Sequence, residues 1–181
     1  MNKKYYIIFM LLILLCGVGQ NSIAQKGDEK MTMTITSPAF EEGQMIPAKY
    51  TCDSLNVSPP LKWEQVPQGV KSFALICDDP DAPVGTWVHW VVWNIPAEVN
   101  SLPAGEGSSL PEGSKQGVTS AGTNGYHGPC PPRGVHRYYF KIYALDTTLD
   151  LPDSTTKQNL LDAMKGHILA EGSLMGRYQR R

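Results

Sequence analysis

Two apolar runs separated by an acidic, proline-containing turn make up residues 71–94, KSFALICDDPDAPVGTWVHWVVWN. Both runs are rich in aromatic and β-branched side chains, which fit the pleated surface of a β-sheet. The prolines between them exclude a helix and the aspartates favour a turn. The second run is apolar at almost every position, which is typical of a strand buried on both faces. The stretch therefore predicts two core strands, the second of them central.

Similar patterns on both sides of this stretch predict further strands. Residues 31–36 alternate with period two and place threonines on one face, which indicates a half-buried strand. Residues 61–63 predict a short strand entering the core, and 137–145 predict a long one. The fold class that follows is mostly β.

One helix is predicted after these strands. Thr155 and Gln158 have the spacing of a capping box. The apolar residues that follow recur at helical spacing as far as a stop near Gly172, namely Leu160, Leu161, Met164 and Ile168. We expect this stripe to pack on a sheet edge rather than on a partner or a membrane.

Composition supports a single β-rich domain. The 181 residues include 17 glycines and 14 prolines, a larger share than the ~12 per cent typical of globular proteins, and this argues against a helical bundle. Hydrophobic residues make up 41% and charged residues 18%, which excludes a disordered chain. The formal net charge is −1 with no basic run before Arg180 and Arg181, so the electrostatic footprint of a nucleic-acid-binding protein is missing.

The N-terminus has the three-part layout of a secretory signal peptide. Lys3 and Lys4 precede an apolar run over 7–16, and 22–24 form a small-x-small cleavage site. The apolar run is shorter than the ~20 residues that cross a bilayer. We predict a signal peptide over 1–24, export to the periplasm or medium, a polar tether over 25–30 and one domain over 31–181. Acylation of Cys16 as a lipoprotein is the alternative, disfavoured by the large side chain that precedes that cysteine.

Three cysteines remain after cleavage at Ala24. In an oxidising compartment, one pair of Cys52, Cys77 and Cys130 could form a disulfide and leave one thiol, and the sequence does not say which pair. Their spacing fits no zinc site, so no metal and no cofactor are expected.

Polar side chains collect where the predicted strands end. His89 is a histidine inside an otherwise apolar strand, and a buried imidazole needs polar partners. His136 and Tyr138 are two residues apart on a strand, so both side chains emerge on one face. Taken singly, each has a structural explanation, because a lone strand histidine is more often a satisfied core residue than a ligand.

Together with their neighbours, these residues predict a small anion-binding cavity. The turn carrying Asp79 and Asp81 precedes the strand of His89, and the proline-stiffened loop 128–134 precedes His136. Free backbone amides at Gly128 and Gly134 would add hydrogen-bond donors for an anion.

Three long motifs are distinctive: 78–83, DDPDAP; 87–96, WVHWVVWNIP; and 125–138, GYHGPCPPRGVHRY. Shorter ones accompany them: 50–53, YTCD; 56–63, NVSPPLKW; and 167–170, HILA. In this order they resemble the phosphatidylethanolamine-binding protein family, and more closely its bacterial branch of Raf-kinase-inhibitor-like proteins. The resemblance covers essentially the whole chain after the signal peptide.

The resemblance implies a β-sandwich with a C-terminal helix and a small pocket for phosphate-like head groups. Its ligand-binding residues would be Asp79, His89, His136 and Tyr138, with backbone from Gly128. Supporting roles would fall to Asp81, Pro129 and Arg137. We expect Asp79 to orient a histidine or to accept from a head-group amine, because a carboxylate gains nothing by facing an anion directly. Arg137 should point to the opposite face of its strand and pair with the acidic turn. A homodimer is implied by the resemblance alone.

Three functions compete at this stage. The first is a binding protein for a small anion, a carboxylate or a phospholipid head group. The second is an inhibitor of a secreted or periplasmic partner enzyme, a protease rather than a kinase. The third and least favoured is a hydrolase, because the chain has no Gly-x-Ser-x-Gly elbow, although His89, His136 and Asp79 could in principle hold a metal. We therefore expect no enzymatic activity.

Overall fold

The computed structural model describes residues 31–105 and 110–180. The predicted signal peptide, its alternative lipoprotein cysteine and the polar tether lie outside the described residues. The described part contains nine strands, one α-helix and a 3-10 turn at Ala48–Tyr50. The strands and the helix are β1 Met31–Thr32, β2 Thr34–Thr36, β3 Leu61–Glu64, β4 Ser72–Asp79, β5 Trp87–Pro96, β6 Ser101–Leu102, β7 Lys115–Gln116, β8 His136–Leu145, α1 Lys157–Ala163 and β9 Ile168–Tyr178.

The strands form two sheets. The larger has six strands in the order β1-β9-β8-β4-β5-β7, antiparallel except for the β1–β9 pair. The smaller has three strands in the order β2-β3-β6. Apolar side chains of the smaller sheet, among them Ile35 and Trp63, share one core with Phe73 and Phe140 of the larger sheet. The predicted mostly β fold, a β-sandwich, is confirmed.

The larger sheet is buried on both faces. Phe73, Leu75 and Cys77 of β4 face the smaller sheet, while the alternate residues Ala74 and Ile76 join a second core with α1. β5 divides its apolar side chains between the same two cores. The prediction of a strand covered on both faces is therefore confirmed for β5. No helix within 31–105 or 110–180 is long and apolar enough to cross a membrane.

The helix is shorter than the sequence pattern predicts. It ends at Ala163 rather than near Gly172, and its N-cap is Thr156, whose side chain accepts from the backbone amide of Asn159. Thr155 is not the cap because it is buried and its hydroxyl donates to the Pro152 carbonyl. Its apolar stripe does pack on the sheet, as expected.

Residues predicted to complete the helix form a strand instead. β9 runs antiparallel to β8 along its whole length, so the helix precedes the last strand rather than closing the chain. Gly166, at φ 81°, takes a left-handed conformation that ends helical geometry. Within β9, a Cβ added at Gly176 would lie 2.5 Å from Ile46 and 2.8 Å from Phe40. The glycine that weakens the strand signal is thus required by close packing.

Candidate ligand-binding site

A cavity of about 280 Å³ opens at one end of the sandwich, where β4, β5 and β8 meet two loops. Its described lining combines polar groups on the inside with apolar walls. The lining residues are Asp79, Ala82, Pro83, Val84, Trp87, His89, His127, Cys130, Pro131, Pro132, His136 and Tyr138. The structure thus brings together four of the five predicted ligand-binding residues.

Strand alternation places three of these side chains. His136 and Tyr138 share the face of β8 that continues into the sandwich core, and both are buried, with 5% and 0% of their surface exposed. Asp79 ends β4 on the same face as Cys77. A period-two pattern therefore accounts for this part of the site.

His89 reaches the cavity because β5 is bulged at this position. Two consecutive residues of β4 pair with Val88 and Trp90, so that His89 between them has no partner in this ladder. A bulge of this kind places two consecutive side chains on one side of a sheet. His89 accordingly faces Tyr138, with 5.2 Å between the ring centres, while Val88 packs on the helix side.

Each of the two histidines has one ring nitrogen anchored by the protein. His136 Nδ1 lies 2.7 Å from Asp79 Oδ2, and His89 Nδ1 lies 2.6 Å from the His127 carbonyl oxygen. A carbonyl or carboxylate oxygen accepts, so Nδ1 donates in both contacts. Asp79 orients a histidine, as expected. Burial is the largest influence on His89 and lowers the pKa of its imidazole, against the opposing effects of the His127 carbonyl and Asp79.

Two buried polar atoms in the lining have no hydrogen-bond partner among the described residues. They are the hydroxyl of Tyr138 and Nδ1 of His127. Burial raises the pKa of Tyr138 well above its ordinary value, and so does the Asp79 carboxylate, which is close enough to attract the hydroxyl but makes no hydrogen bond of normal geometry with it. The phenol therefore keeps its proton and can donate. Buried polar groups are normally satisfied, and these two point to a ligand.

A disulfide and a hydrogen bond attach the outer wall of the cavity to the segment around residue 50. Cys52 and Cys130 form a disulfide, with 5.4 Å between their Cα atoms, and Cys77 is a buried free thiol. This settles the pairing that the sequence left open. The Tyr126 hydroxyl also donates to the carbonyl of Tyr50 at 2.9 Å.

Contrary to the sequence prediction, Gly128 and Gly134 do not contribute backbone amides to the cavity. The amide of Gly128 is not free, because it donates to Asn56 Oδ1 at 2.8 Å, and Gly128 does not line the cavity. A Cβ there would lie 2.5 Å from that oxygen, so the glycine serves close packing. Gly134 is exposed and is also outside the lining. Pro129 is buried, and its carbonyl accepts from the Cys52 amide at 3.1 Å, so it takes part in the same attachment of the cavity wall.

Arg137 lies on the opposite face of β8 and pairs with the acidic turn, as expected. Its Nη2 is 2.7 Å from Asp81 Oδ1, and its Nε and backbone amide both donate to Asp81 Oδ2 at 2.9 Å. These bonds lower the pKa of Asp81 to about 2. The pair fixes the turn that follows Asp79, since the Asp81 amide also donates to Asp79 Oδ1 at 2.8 Å.

Comparison with known proteins agrees with this architecture. The family model of the phosphatidylethanolamine-binding protein matches residues 36–179. The chain belongs to the phosphatidylethanolamine-binding protein family. The resemblance found in the motifs is thereby confirmed.

Relatives of this family member come from archaea and bacteria. A protein of Methanothermobacter thermautotrophicus, named UPF0098 protein, is 52% identical over 150 residues, which cover 82% of this chain and 99% of that protein. A phosphatidylethanolamine-binding protein homologue from Chlamydia trachomatis has a crystal structure that matches with a TM-score of 0.78 and 44% identity, over 83% of this chain and 99% of that one. YbcL of Escherichia coli, described as a new member of the mammalian family, matches with a TM-score of 0.78 and 33% identity, over 82% and 99% of the two chains.

Sequence reasoning missed part of the site in this family member. His127 was not a candidate, although it sits inside the longest motif, because its loop has no periodicity that tells which way a side chain points. Trp87 forms an apolar wall that was not predicted either, whereas Pro131 and Pro132 belong to the loop 128–134 that was expected at the cavity. The signal that could have identified His127 is its position directly before Gly128 and Pro129.

The lining limits the chemistry that this cavity can perform. It contains no serine, no threonine and no free thiol among the described residues, since Cys130 is in the disulfide. Within 31–105 and 110–180, no group of three histidine, cysteine or acidic residues is arranged to hold a metal ion. What the site does offer is hydrogen bonding by one phenol and three imidazoles inside an apolar wall.

Proposed function

We propose that this member of the phosphatidylethanolamine-binding protein family is an exported protein that binds a phosphate-like or carboxylate group in the cavity of His89, His136 and Tyr138. The observation that carries the proposal is the Tyr138 hydroxyl, fully buried and without a partner among the described residues. Leaving a hydroxyl unsatisfied costs roughly 1–3 kcal/mol. A ligand oxygen that accepts from it removes this cost.

The shape of the cavity favours a head group over a whole lipid. Its volume of about 280 Å³ lies just below the roughly 300–1,000 Å³ that is usual for ligand sites. Polar side chains occupy the inside, and Trp87, Pro131 and Pro132 contribute apolar walls. An anionic head group with a short apolar substituent matches this arrangement of polar and apolar side chains.

Titration calorimetry with phosphate, phosphoethanolamine and acetate tests the proposal. We expect binding of at least one of them, weakened at least tenfold in His89→Ala and in His136→Ala. The matched control is His167→Ala, because His167 also pairs with an aspartate, Asp146 at 2.8 Å, but lies outside the cavity. Equal affinities in the wild type and both cavity variants would contradict the proposal.

Export is supported by the layout of residues 1–24 and is compatible with the disulfide, since such bonds persist in oxidising compartments. Mass spectrometry of the N-terminal peptide from cell fractions tests it. We expect a chain that begins at Gln25 in the periplasm or medium. A diacylated N-terminal Cys16 would replace this proposal by lipoprotein anchoring, and an unprocessed cytoplasmic chain would overturn export altogether.

Inhibition of a secreted or periplasmic enzyme is the second candidate. One feature favours it: Val84 lines the cavity with 79% of its surface exposed, so an apolar contact is available to a macromolecule at the mouth. Peptidase activity should fall on addition of the wild-type protein and recover with Val84→Asp. Unchanged peptidase activity with the wild-type protein would count against this candidate.

A further inference from the structure

We infer that the cavity takes up its anion together with a proton, and so selects a titratable anion such as a phosphomonoester over a permanently charged one such as a sulfate ester. The inference rests on the anion-binding function proposed above and specifies its ligand class. It is carried by the hydrogen bonds of His89 and His136 and by the charges of the lining.

When they are neutral, the two anchored histidines, His89 and His136, present a hydrogen-bond acceptor to the ligand, whereas an anion needs a donor. A neutral imidazole has one N–H and one bare nitrogen. Because the His127 carbonyl and the Asp79 carboxylate both require Nδ1–H, the bare nitrogen in each ring is Nε2. In each of these two rings, Nε2 is also the nitrogen left for a ligand. It accepts a hydrogen bond in the neutral ring and donates only in the imidazolium.

The described lining supplies no fixed positive charge. It contains no lysine and no arginine, and its single carboxylate is Asp79. Arg133 and Arg137 lie on either side of His136 in sequence but are outside the lining, and Arg137 is on the other face of β8, paired with Asp81. A fully ionised anion would therefore enter a cavity whose fixed charge is also negative. A proton on the ligand or on an imidazole is the available compensation.

Groups packed around the two rings act in opposing directions. His89 is faced by Asp79 from β4, by His127 from the loop and by Tyr138 from β8, and the charge of Asp78, which pairs with Lys141 and Lys157 on the other face of β4, also acts on it. Burial has the largest effect and lowers the pKa of His89, and the charge of the His127 ring acts in the same direction. The hydrogen bond to the His127 carbonyl and the two carboxylates favour the imidazolium.

His136 has a different set of neighbours. Asp79 is bonded to it, Asp81 is close enough to interact with its charge, and Tyr178 is its partner across the β9 ladder. The extra proton of the complex can therefore reside on either ring or on the ligand.

A phosphomonoester meets these requirements because it titrates near pH 6. Its monoanion can donate P–O–H to a bare Nε2 and accept from Tyr138. The same complex arises when the dianion binds to an imidazolium, since one proton is shared between oxygen and nitrogen in both descriptions. A sulfate ester has no such proton, so its complex needs protonation of a histidine.

Calorimetry with phenyl phosphate and phenyl sulfate, two ligands of the same shape, tests the inference. Titrations at about pH 8 in two buffers of different ionisation enthalpy give the number of protons taken up. We expect uptake of about one proton per phenyl phosphate bound. Phenyl sulfate should bind at least tenfold more weakly at about pH 8, and the gap should narrow at about pH 5.5.

Asp79→Asn provides a variant that reverses the polarity of one ring. Asp79 Oδ1 accepts from the Asp81 amide, so the side-chain oxygen of the asparagine should stay there and turn its NH₂ toward His136 Nδ1. Nδ1 must then accept, and the proton moves to Nε2 of the neutral ring. We expect proton uptake to fall well below one and phenyl sulfate affinity at about pH 8 to rise at least tenfold.

The outcomes separate this inference from the proposed function. Equal binding of both ligands by the wild type, with no proton uptake, would overturn the inference and leave an anion site. Failure of both ligands to bind between about pH 5.5 and 8 would overturn both. These results use the wild-type protein and do not depend on the folding of the variant.

A vesicle assay distinguishes a lipid from a soluble ligand. Phosphatidic acid is a phosphomonoester lipid, so phosphatidylcholine vesicles containing it offer the same chemistry at a surface. Vesicle flotation that phenyl phosphate competes away supports a lipid source. Phenyl phosphate binding with no flotation supports a soluble source, and flotation that increases with pH would contradict proton uptake.

Discussion

Two hydrogen bonds join His89 and His127, one between their backbones and one from the His89 ring to the His127 backbone. The His127 amide donates to the His89 carbonyl at 2.8 Å, and His89 Nδ1 donates to the His127 carbonyl at 2.6 Å. The bulge that removes His89 from the ladder with β4 thus coincides with a new attachment for the cavity wall. The same two bonds fix the orientation of the His89 ring and the position of the loop around it.

His127→Ala should separate binding from stability. The substitution keeps both bonds to His89, because both use the His127 backbone, and it removes the unpartnered Nδ1. We expect a Tm within a few degrees of the wild type and phosphate-like ligands bound at least fivefold more weakly. Calorimetry and thermal unfolding measure the two quantities. Unchanged affinity would show that the ring does not reach the ligand.

Tyr138→Phe should weaken binding without destabilising the free protein. Its hydroxyl is buried without a partner among the described residues, so deleting it removes an unsatisfied group and should leave unfolding free energy unchanged or higher by up to about 1 kcal/mol. Tyr126→Phe is the matched control, because that hydroxyl donates to Tyr50 and its loss should destabilise the protein by about 1 kcal/mol. Affinity should fall about tenfold in Tyr138→Phe. A large loss of stability in that variant would contradict the unsatisfied hydroxyl.

The strands and the shared face of His136 and Tyr138 could be predicted because period-two patterns carry that information. His89 could not be placed in this way. Strict alternation puts it on the face opposite Trp90, and only the bulge in β5 returns it to the cavity side. The family resemblance places His89 at the cavity, where the structure also has it, whereas the strand pattern alone would turn it toward the helix.

The errors arise where tertiary packing overrides local pattern. The helical spacing that ends at Ile168 is interrupted by Gly166, and pairing with β8 then takes over. The amide of Gly128 looked available in the sequence because nothing there shows that Asn56 lies against it. His127 was missed because irregular loops lack a period. Long-range contacts of this kind are not encoded in local spacing.

Reduction of the disulfide should loosen the cavity wall. Cys130 lines the cavity and is tied to Cys52 across 78 residues of sequence, and such a link typically stabilises a fold by about 2–4 kcal/mol. We expect a reductant to lower the Tm of the wild type and weaken ligand binding. The Cys52→Ser/Cys130→Ser double variant should have the lower Tm from the start and no response to reductant. If the Tm of a Cys77→Ala variant did not change on addition of reductant, the effect could not be assigned to the Cys52–Cys130 disulfide.

Arg137→Gln should affect acid stability and leave binding intact, because the Arg137–Asp81 pair lies outside the cavity. The bonds from Arg137 lower the pKa of Asp81 from 3.8 to about 2, so the pair stabilises the fold above pH 3.8 and loses this effect as pH falls toward about 2. Both side chains are partly exposed and screened by solvent, so the loss of stability at neutral pH should be small. Lys62→Gln, in the exposed pair with Glu64, is the control and should change stability even less. Chemical unfolding from about pH 2 to 7 measures the difference, and a tenfold loss of ligand affinity would refute a purely supporting role.

His89→Gln should reveal the cost of protonating the buried imidazole. Burial lowers the pKa of His89 below its ordinary 6.5, so the unfolded chain binds this proton more readily than the fold. The wild type should therefore lose stability as pH falls below about 6.5, and this component should be absent from the variant. The difference in unfolding free energy, wild type minus variant, should increase with pH from about 5 to 6.5 and level off above about 7. Unfolding in buffers free of phosphate, sulfate and carboxylates measures it, because those anions would bind and mask the effect. A difference that is independent of pH would show that His89 titrates alike in the folded and unfolded chains.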